Sequence, residues 1–162
     1  MIKMKKLLLF FLSIILCTGC TKSSSDVNQK QLDRYNSVVK TLKKGHADTE
    51  CPCDIKVKYY KLGNYYSYNV IIDNPKESMY NIQALSYSPE IKDEYHPSIG
   101  FFDSHPYHLV LNKIDKKQYF YKGIAISGRV YKKTSIRVFI RYYEDKDHKK
   151  MKTSYKEIVN EN

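Results

Sequence analysis

A chain of 162 residues, 42% of them hydrophobic, has enough apolar material for one domain with a real core plus a short extension. Its 28 Lys and Arg outweigh 17 Asp and Glu to give a formal charge of +11, a balance suited to anionic lipid headgroups or polymers. Gly-rich phosphate loops, H-E-x-x-H and a nucleophile elbow are all missing, as is any internal repeat, so nothing in the sequence points to an enzyme.

The chain opens with Lys3, Lys5 and Lys6, followed by an apolar run from Leu7 to Leu16 that only Ser13 interrupts. About ten such residues suit a signal h-region and fall short of the roughly 20 that a spanning helix needs. A buried core helix would instead alternate with polar positions. The run ends in "Leu16-Cys17-Thr18-Gly19-Cys20", which resembles a bacterial lipobox, the signal peptidase II site of lipoprotein precursors. Thr18 and Gly19 match the small residues expected before the cut, while Cys17 stands where such sites carry an aliphatic residue. The resemblance implies cleavage before Cys20, a diacylglycerol on its sulfur, and attachment to the extracytoplasmic face of a cell membrane. Ordinary secretion with a cut nearby is the other reading. Two acyl chains hold stably where one holds weakly, at about 0.8 kcal/mol per buried methylene. Abundant Tyr, Lys, Ile and Asn resemble proteins of AT-rich genomes, such as low-GC Gram-positive bacteria; codon bias is one reading of the 16 tyrosines and an aromatic ligand-binding surface the other.

On this reading residues 1–19 are a cleaved signal peptide and 20–31 a lipidated N-terminus with a flexible polar tether. Residues 32–53 form an amphipathic helix and junction. Leu32, Tyr35, Val38, Val39 and Leu42 recur at helical spacing, with Lys40, Lys43 and Lys44 near the C-terminal end and Gly45 placed to cap it. Such a helix can pack on the domain or lie on the membrane surface.

From Asp54 the period changes to two, and residues 54–162 are expected to form the main domain. "DIKVKYY" alternates Ile55, Val57 and Tyr59 with lysines, "KLGN" turns, and "YYSYNVIID" sets Tyr66, Tyr68, Val70 and Ile72 on one face. Pro75 breaks the pattern, and "MYNIQALSYS" resumes it with Tyr80, Ile82 and Ala84. Residues 89–106 hold several prolines and should form an irregular connection with at most a short edge strand. "YHLVLNKI", "YFYKGIAISGRV", "SIRVFIRYYE" and "MKTSYKEIV" read as further strands, with "DKDHKK" as a turn. About seven strands separated by turn signals predict a mainly β fold, a single antiparallel β-sandwich. Their ordering, and the strand end "V-I-I-D-N-P", resemble immunoglobulin-like or fibronectin-type modules of bacterial lipoproteins. The Cys–Trp–Cys core of true immunoglobulin domains is missing, since there is no Trp.

"Glu50-Cys51-Pro52-Cys53-Asp54" is the most unusual local feature. In an exported protein two neighbouring thiols are usually oxidised, and a Cys51–Cys53 disulfide would close a small, easily reduced ring. The same pair can hold a soft metal, with His46 or Glu50 nearby, pin the helix-to-sheet junction, bond to another molecule, act in redox chemistry, or remain as free thiols. Asp103, His105 and His108, with His96 upstream, carry imidazole and carboxylate groups suited to zinc or copper. On a Pro-broken segment they read equally as exposed loop residues. Asp103, Ser104 and His105 are adjacent in the chain and do not make a triad, which is assembled from separate places.

These features lead to an expected function: a lipid-anchored, non-catalytic interaction module presented to an envelope protein or wall polymer, with no cofactor beyond the diacylglycerol on Cys20. Nucleic acid is not an expected partner, because an exported, anchored protein seldom meets it. The competing expectation is an extracytoplasmic metal-binding or thiol-redox lipoprotein working through Cys51 and Cys53.

Overall fold

The computed structural model describes residues 24–91 and 95–159, the side chains of 24–27 excepted. The lipobox and Cys20 lie outside the described residues. The chain divides into two units, residues 1–30 and 31–162. Of the first, the helical stretch Ser24–Lys30 is described, with the side chains of residues 28–30 exposed.

Helix α1 spans Ser24–Lys43 and begins inside the stretch expected as tether, so residues 24–31 are helical. Gln29, Lys30 and Gln31 have straight side chains that lose little freedom in a helix. In the second unit α1 buries Tyr35, Val38 and Leu42 against Leu85, Tyr87, Phe101 and Phe139. Each such side chain contributes about 1.5–3 kcal/mol by leaving water, more than propensity supplies to a helix of this composition. Gly45 ends the helix at φ +79°, its N–H bonded to the Leu42 carbonyl at 3.1 Å.

The remainder is mainly β: an antiparallel, immunoglobulin-like sandwich of seven strands among the described residues. Strands β1 (Asp54–Leu62), β2 (Tyr65–Asp73) and β5 (Gly123–Val130) form one sheet in the order β1-β2-β5. Strands β3 (Tyr80–Tyr87), β4 (Ser98–Ile99), β6 (Ile136–Tyr143) and β7 (Met151–Ile158) form the other in the order β4-β3-β6-β7. The connections β2 to β3, β4 to β5 and β5 to β6 cross between sheets, as in immunoglobulin-like folds. The short strand β4 pairs with β3 instead of with β5.

Alternation decides which side chains meet between the sheets. Tyr68, Val70 and Ile72 of β2 lie beside Ile124, Ile126 and Val130 of β5 on the inner face of one sheet, with Ile82, Ala84, Ile136, Val138, Ile140 and Tyr142 of the other sheet opposite. The Tyr68 hydroxyl and Ser86 Oγ are 2.9 Å apart, a buried hydrogen bond between strands of different sheets. The β4-β3-β6-β7 sheet is covered on both faces, by the other sheet and by α1. That is why Val138-Phe139-Ile140 is apolar without a break.

"YHLVLNKI" does not form the strand expected of it. It makes isolated bridges, Met79 with Leu109, His108 with Phe120 and Val110 with Lys113. Asn112 sits at φ +59°, and the Asp115 carboxylate accepts the N–H of Lys117 at 3.1 Å and Gln118 at 3.4 Å to cap a 3-10 turn, Lys116–Gln118. Local side-chain bonding of this kind competes with a ladder. The other expected strands form, with ends shifted by a few residues, and among its described residues the irregular 89–106 stretch holds only the two-residue β4.

Candidate functional site

The segment between α1 and β1 is pinned at its edges. Asp48 N–H donates to the Tyr155 carbonyl at 2.8 Å, and Tyr155 N–H returns a bond to the Asp48 carboxylate at 2.7 Å. Ser154 Oγ reaches the Glu50 carbonyl at 3.5 Å, and Lys76 N–H donates to the Pro52 carbonyl at 2.8 Å. The chain is therefore laid against β7 on one side and residue 76 on the other, and Pro52 constrains the bend between the cysteines.

Cys53 is 3% exposed in the core, whereas Cys51 is half-buried. Both are thiols, with sulfurs 3.9 Å apart. The Cys53 thiol directed at the Cys51 sulfur draws the Cys51 pKa down to about 6, against the opposing effect of burial. The Cys53 N–H, the Ser154 hydroxyl and the Lys156 charge add to this lowering. Cys53 moves the opposite way: the neighbouring Cys51 sulfur, then burial, then the Asp54 and Asp73 charges hold it protonated. The site thus has a thiolate in reach of solvent and a reserve thiol behind it.

Cys51 stands where two clefts meet. One, of about 680 Å³, runs between the edge strands β1 and β7 and is lined by Ile55, Lys56, Lys156 and Ile158. The other, of about 540 Å³, is bordered by Glu77, Tyr142, Lys152 and Ser154. Within it Lys152 Nζ bonds the Glu77 carboxylate at 3.0 Å and Glu144 at 2.5 Å, and the Tyr142 hydroxyl donates to Glu77. Sequence reasoning missed these groups. Glu77 lies 65 residues from Tyr142 and 75 from Lys152, so no local pattern announces them.

The histidine cluster is dispersed. His108 Nδ1 accepts the Asn81 N–H at 2.9 Å, and its ring packs on Phe120 and Tyr80. Asn81, at φ +50°, occupies the bulge in β3 where its register on β6 shifts, so His108 serves to hold that bulge. His105 stacks on Tyr119, and the Asp103 carboxylate accepts the Gly100 N–H. His96 is buried in another part of the loop, with its ring beside Tyr87. His46 Nε2 lies 3.1 Å from the Asp48 carboxylate. Among the described residues no group of three or more His, Cys, Asp or Glu gathers where it could hold a metal ion.

The outer face of the β1-β2-β5 sheet is a second candidate surface. Lys56, Lys58 and Tyr60 of β1 and Ala125, Ser127 and Arg129 of β5 are exposed on it. Arg129 lies over the Tyr65 ring at 4.4 Å, and Ser127 Oγ donates to Asn69 Oδ1 at 2.8 Å. Its acidic groups, Asp54 and Asp73, sit opposite each other at one end, leaving the other end cationic. Among the described residues no helix is long and apolar enough to cross a membrane. No protein-family model, curated protein or solved structure matches this chain.

Proposed function

We propose that this protein is a non-catalytic binding module, held through Cys20 to the extracytoplasmic face of a membrane, that engages an anionic carbohydrate-containing polymer of the envelope. The observation that carries this reading is the inequality of the sandwich's outer faces. Helix α1 packs on the β4-β3-β6-β7 sheet, while Lys56, Lys58, Tyr60 and Arg129 stand exposed on the other. Cations spaced along strands suit repeating negative charge, and aromatic faces suit sugar rings with a cation nearby. A lipid anchor keeps the module at its polymer, so a modest affinity is enough.

Two measurements test this. The intact mass of the protein extracted from its own membranes should show a chain that begins at Cys20 and carries diacylglycerol; an unlipidated chain removes the anchor. Binding of the whole protein to purified anionic wall polymer should weaken steeply with salt. Lys56→Glu combined with Lys58→Glu should lower the affinity at least about tenfold, since each reverses a favourable charge contact. An unchanged affinity removes this face as the binding surface.

A further inference from the structure

The Cys51–Cys53 pair goes beyond the binding-module reading and does not depend on it. A structural thiol is normally buried and inert. Here one sulfur is buried, the other reaches the junction of two clefts, and they stand 3.9 Å apart. The edge strands β1 and β7 border the larger cleft and the smaller continues past Cys51, so a chain can lie on both sides of that sulfur.

We propose that Cys51 and Cys53 form a thiol–disulfide exchange site whose substrate is a disulfide carried on an extended polypeptide segment. The Cys51 thiolate attacks one sulfur of the substrate disulfide. A Cys51–substrate mixed disulfide forms, the substrate S–S bond breaks, and the leaving thiolate takes a proton from water. Cys53 then gives up its proton to solvent and attacks Cys51 Sγ. The Cys51–Cys53 bond forms, the mixed disulfide breaks, and the second substrate sulfur leaves as a thiolate that is protonated in turn. Two electrons pass from the dithiol to the substrate: one disulfide and a dithiol become two thiols and the Cys51–Cys53 disulfide.

The groups facing Cys51 fix its reactivity. Cys53 directs a hydrogen bond at it and Lys156 of β7 adds positive charge; Lys56, Lys76, Glu50 and Asp54 line one adjoining cleft, and Asp48, Glu77, Lys152 and Ser154 the other. A thiol of pKa about 6 is roughly 90% ionised at pH 7, against about 3% for an ordinary one. A lower pKa also weakens the nucleophile, so the net gain at pH 7 is only a few-fold, and the pH profile is the sharper readout.

The test uses the reduced full-length protein and, as probes, a short peptide homodisulfide and cystamine. Alkylation of Cys51 by iodoacetamide, followed by peptide mass mapping, should rise with a midpoint near pH 6, with Cys53 unreactive over that range. A midpoint near the ordinary thiol value, or equal labelling of both cysteines, overturns the site; this measurement needs no variant. With the peptide homodisulfide, the wild type should release two peptide thiols and keep no adduct, whereas Cys53→Ser should retain one peptide on Cys51. A stable adduct on the wild type overturns the resolving role of Cys53. The peptide should react at least about tenfold faster than cystamine; equal rates overturn the extended-polypeptide substrate while leaving the exchange site standing.

Discussion

Replacing Gly128 with alanine tests the packing that joins the two sheets. Gly128 stands opposite Tyr68 in the β2–β5 register, and the tyrosine ring lies directly over it. An added Cβ would lie 2.5 Å from Tyr68 Cζ and 2.6 Å from Cε1, and closer still to the hydroxyl oxygen. Ordinary contacts begin about 1 Å farther out, so the ring must move by roughly that distance. It is fully buried, and its hydroxyl is bonded to Ser86 at 2.9 Å. Overpacking of this kind costs about 1–3 kcal/mol, and a buried hydroxyl pulled off its partner costs about 1–3 kcal/mol more. The expected loss is therefore about 2–6 kcal/mol, read from urea or thermal unfolding of the reduced protein. A double-mutant cycle isolates the contact. Tyr68→Leu should cost less in the Gly128→Ala background than in wild type, with a coupling of at least about 1 kcal/mol. Strict additivity, or a Gly128→Ala loss under about 0.5 kcal/mol, would refute the ring-over-glycine account.

Gly100→Ala should destabilise by about 2–5 kcal/mol, because its φ of +74° disfavours a side chain and the new Cβ would run into the Ile82 carbonyl oxygen. Chemical denaturation measures it, and a neutral result would contradict the β3–β4 geometry. Burial, with the charges of His148 and Lys113, lowers the pKa of His108, so the neutral ring belongs to the folded state. Its stabilising effect is present above the unfolded value of 6.5 and is lost as pH falls through the depressed folded value. Hydrogen exchange at the Asn81 amide should speed up over that interval, and a flat profile would exclude His108 Nδ1 as its acceptor. For Glu77, burial would raise the pKa, but the Tyr142 hydroxyl and Lys152 outweigh it and hold the carboxylate ionised below the usual 4.5. Glu77→Gln should therefore flatten the loss of stability with acid below about pH 4.5, measured as the denaturation midpoint against pH. Arg137 Nη1 donates to the carbonyls of Leu42 at 3.0 Å and Lys43 at 3.3 Å, at the negative end of α1. Arg137→Met should cost about 1–2 kcal/mol and increase exchange in the last turn of α1 before the sheets respond; uniform loosening would argue against a capping role.

What the sequence determines by itself is local. Alternation in "YYSYNVIID" and "SIRVFIRYYE" settles which faces of β2 and β6 are buried, since successive strand side chains point to opposite sides. Helical spacing from Leu32 to Leu42 and the glycine after it settle an amphipathic helix and its end. That β6 is covered on its other face as well is decided by α1, whose side chains pack on Phe139, and no local pattern announces it. Only the tertiary structure decides the strand order and the pairing of β4 with β3, because loop lengths permit several arrangements and burial selects one. It also decides the sites. Cys51 acquires its clefts from β7, about 100 residues downstream, through contacts such as Ser154 with Glu50. His108 takes its role from Asn81, 27 residues upstream, and Gly128 from a tyrosine on the neighbouring strand. Periodicity records what each residue prefers beside its chain neighbours, while acidity, access and packing depend on groups that only folding brings into contact.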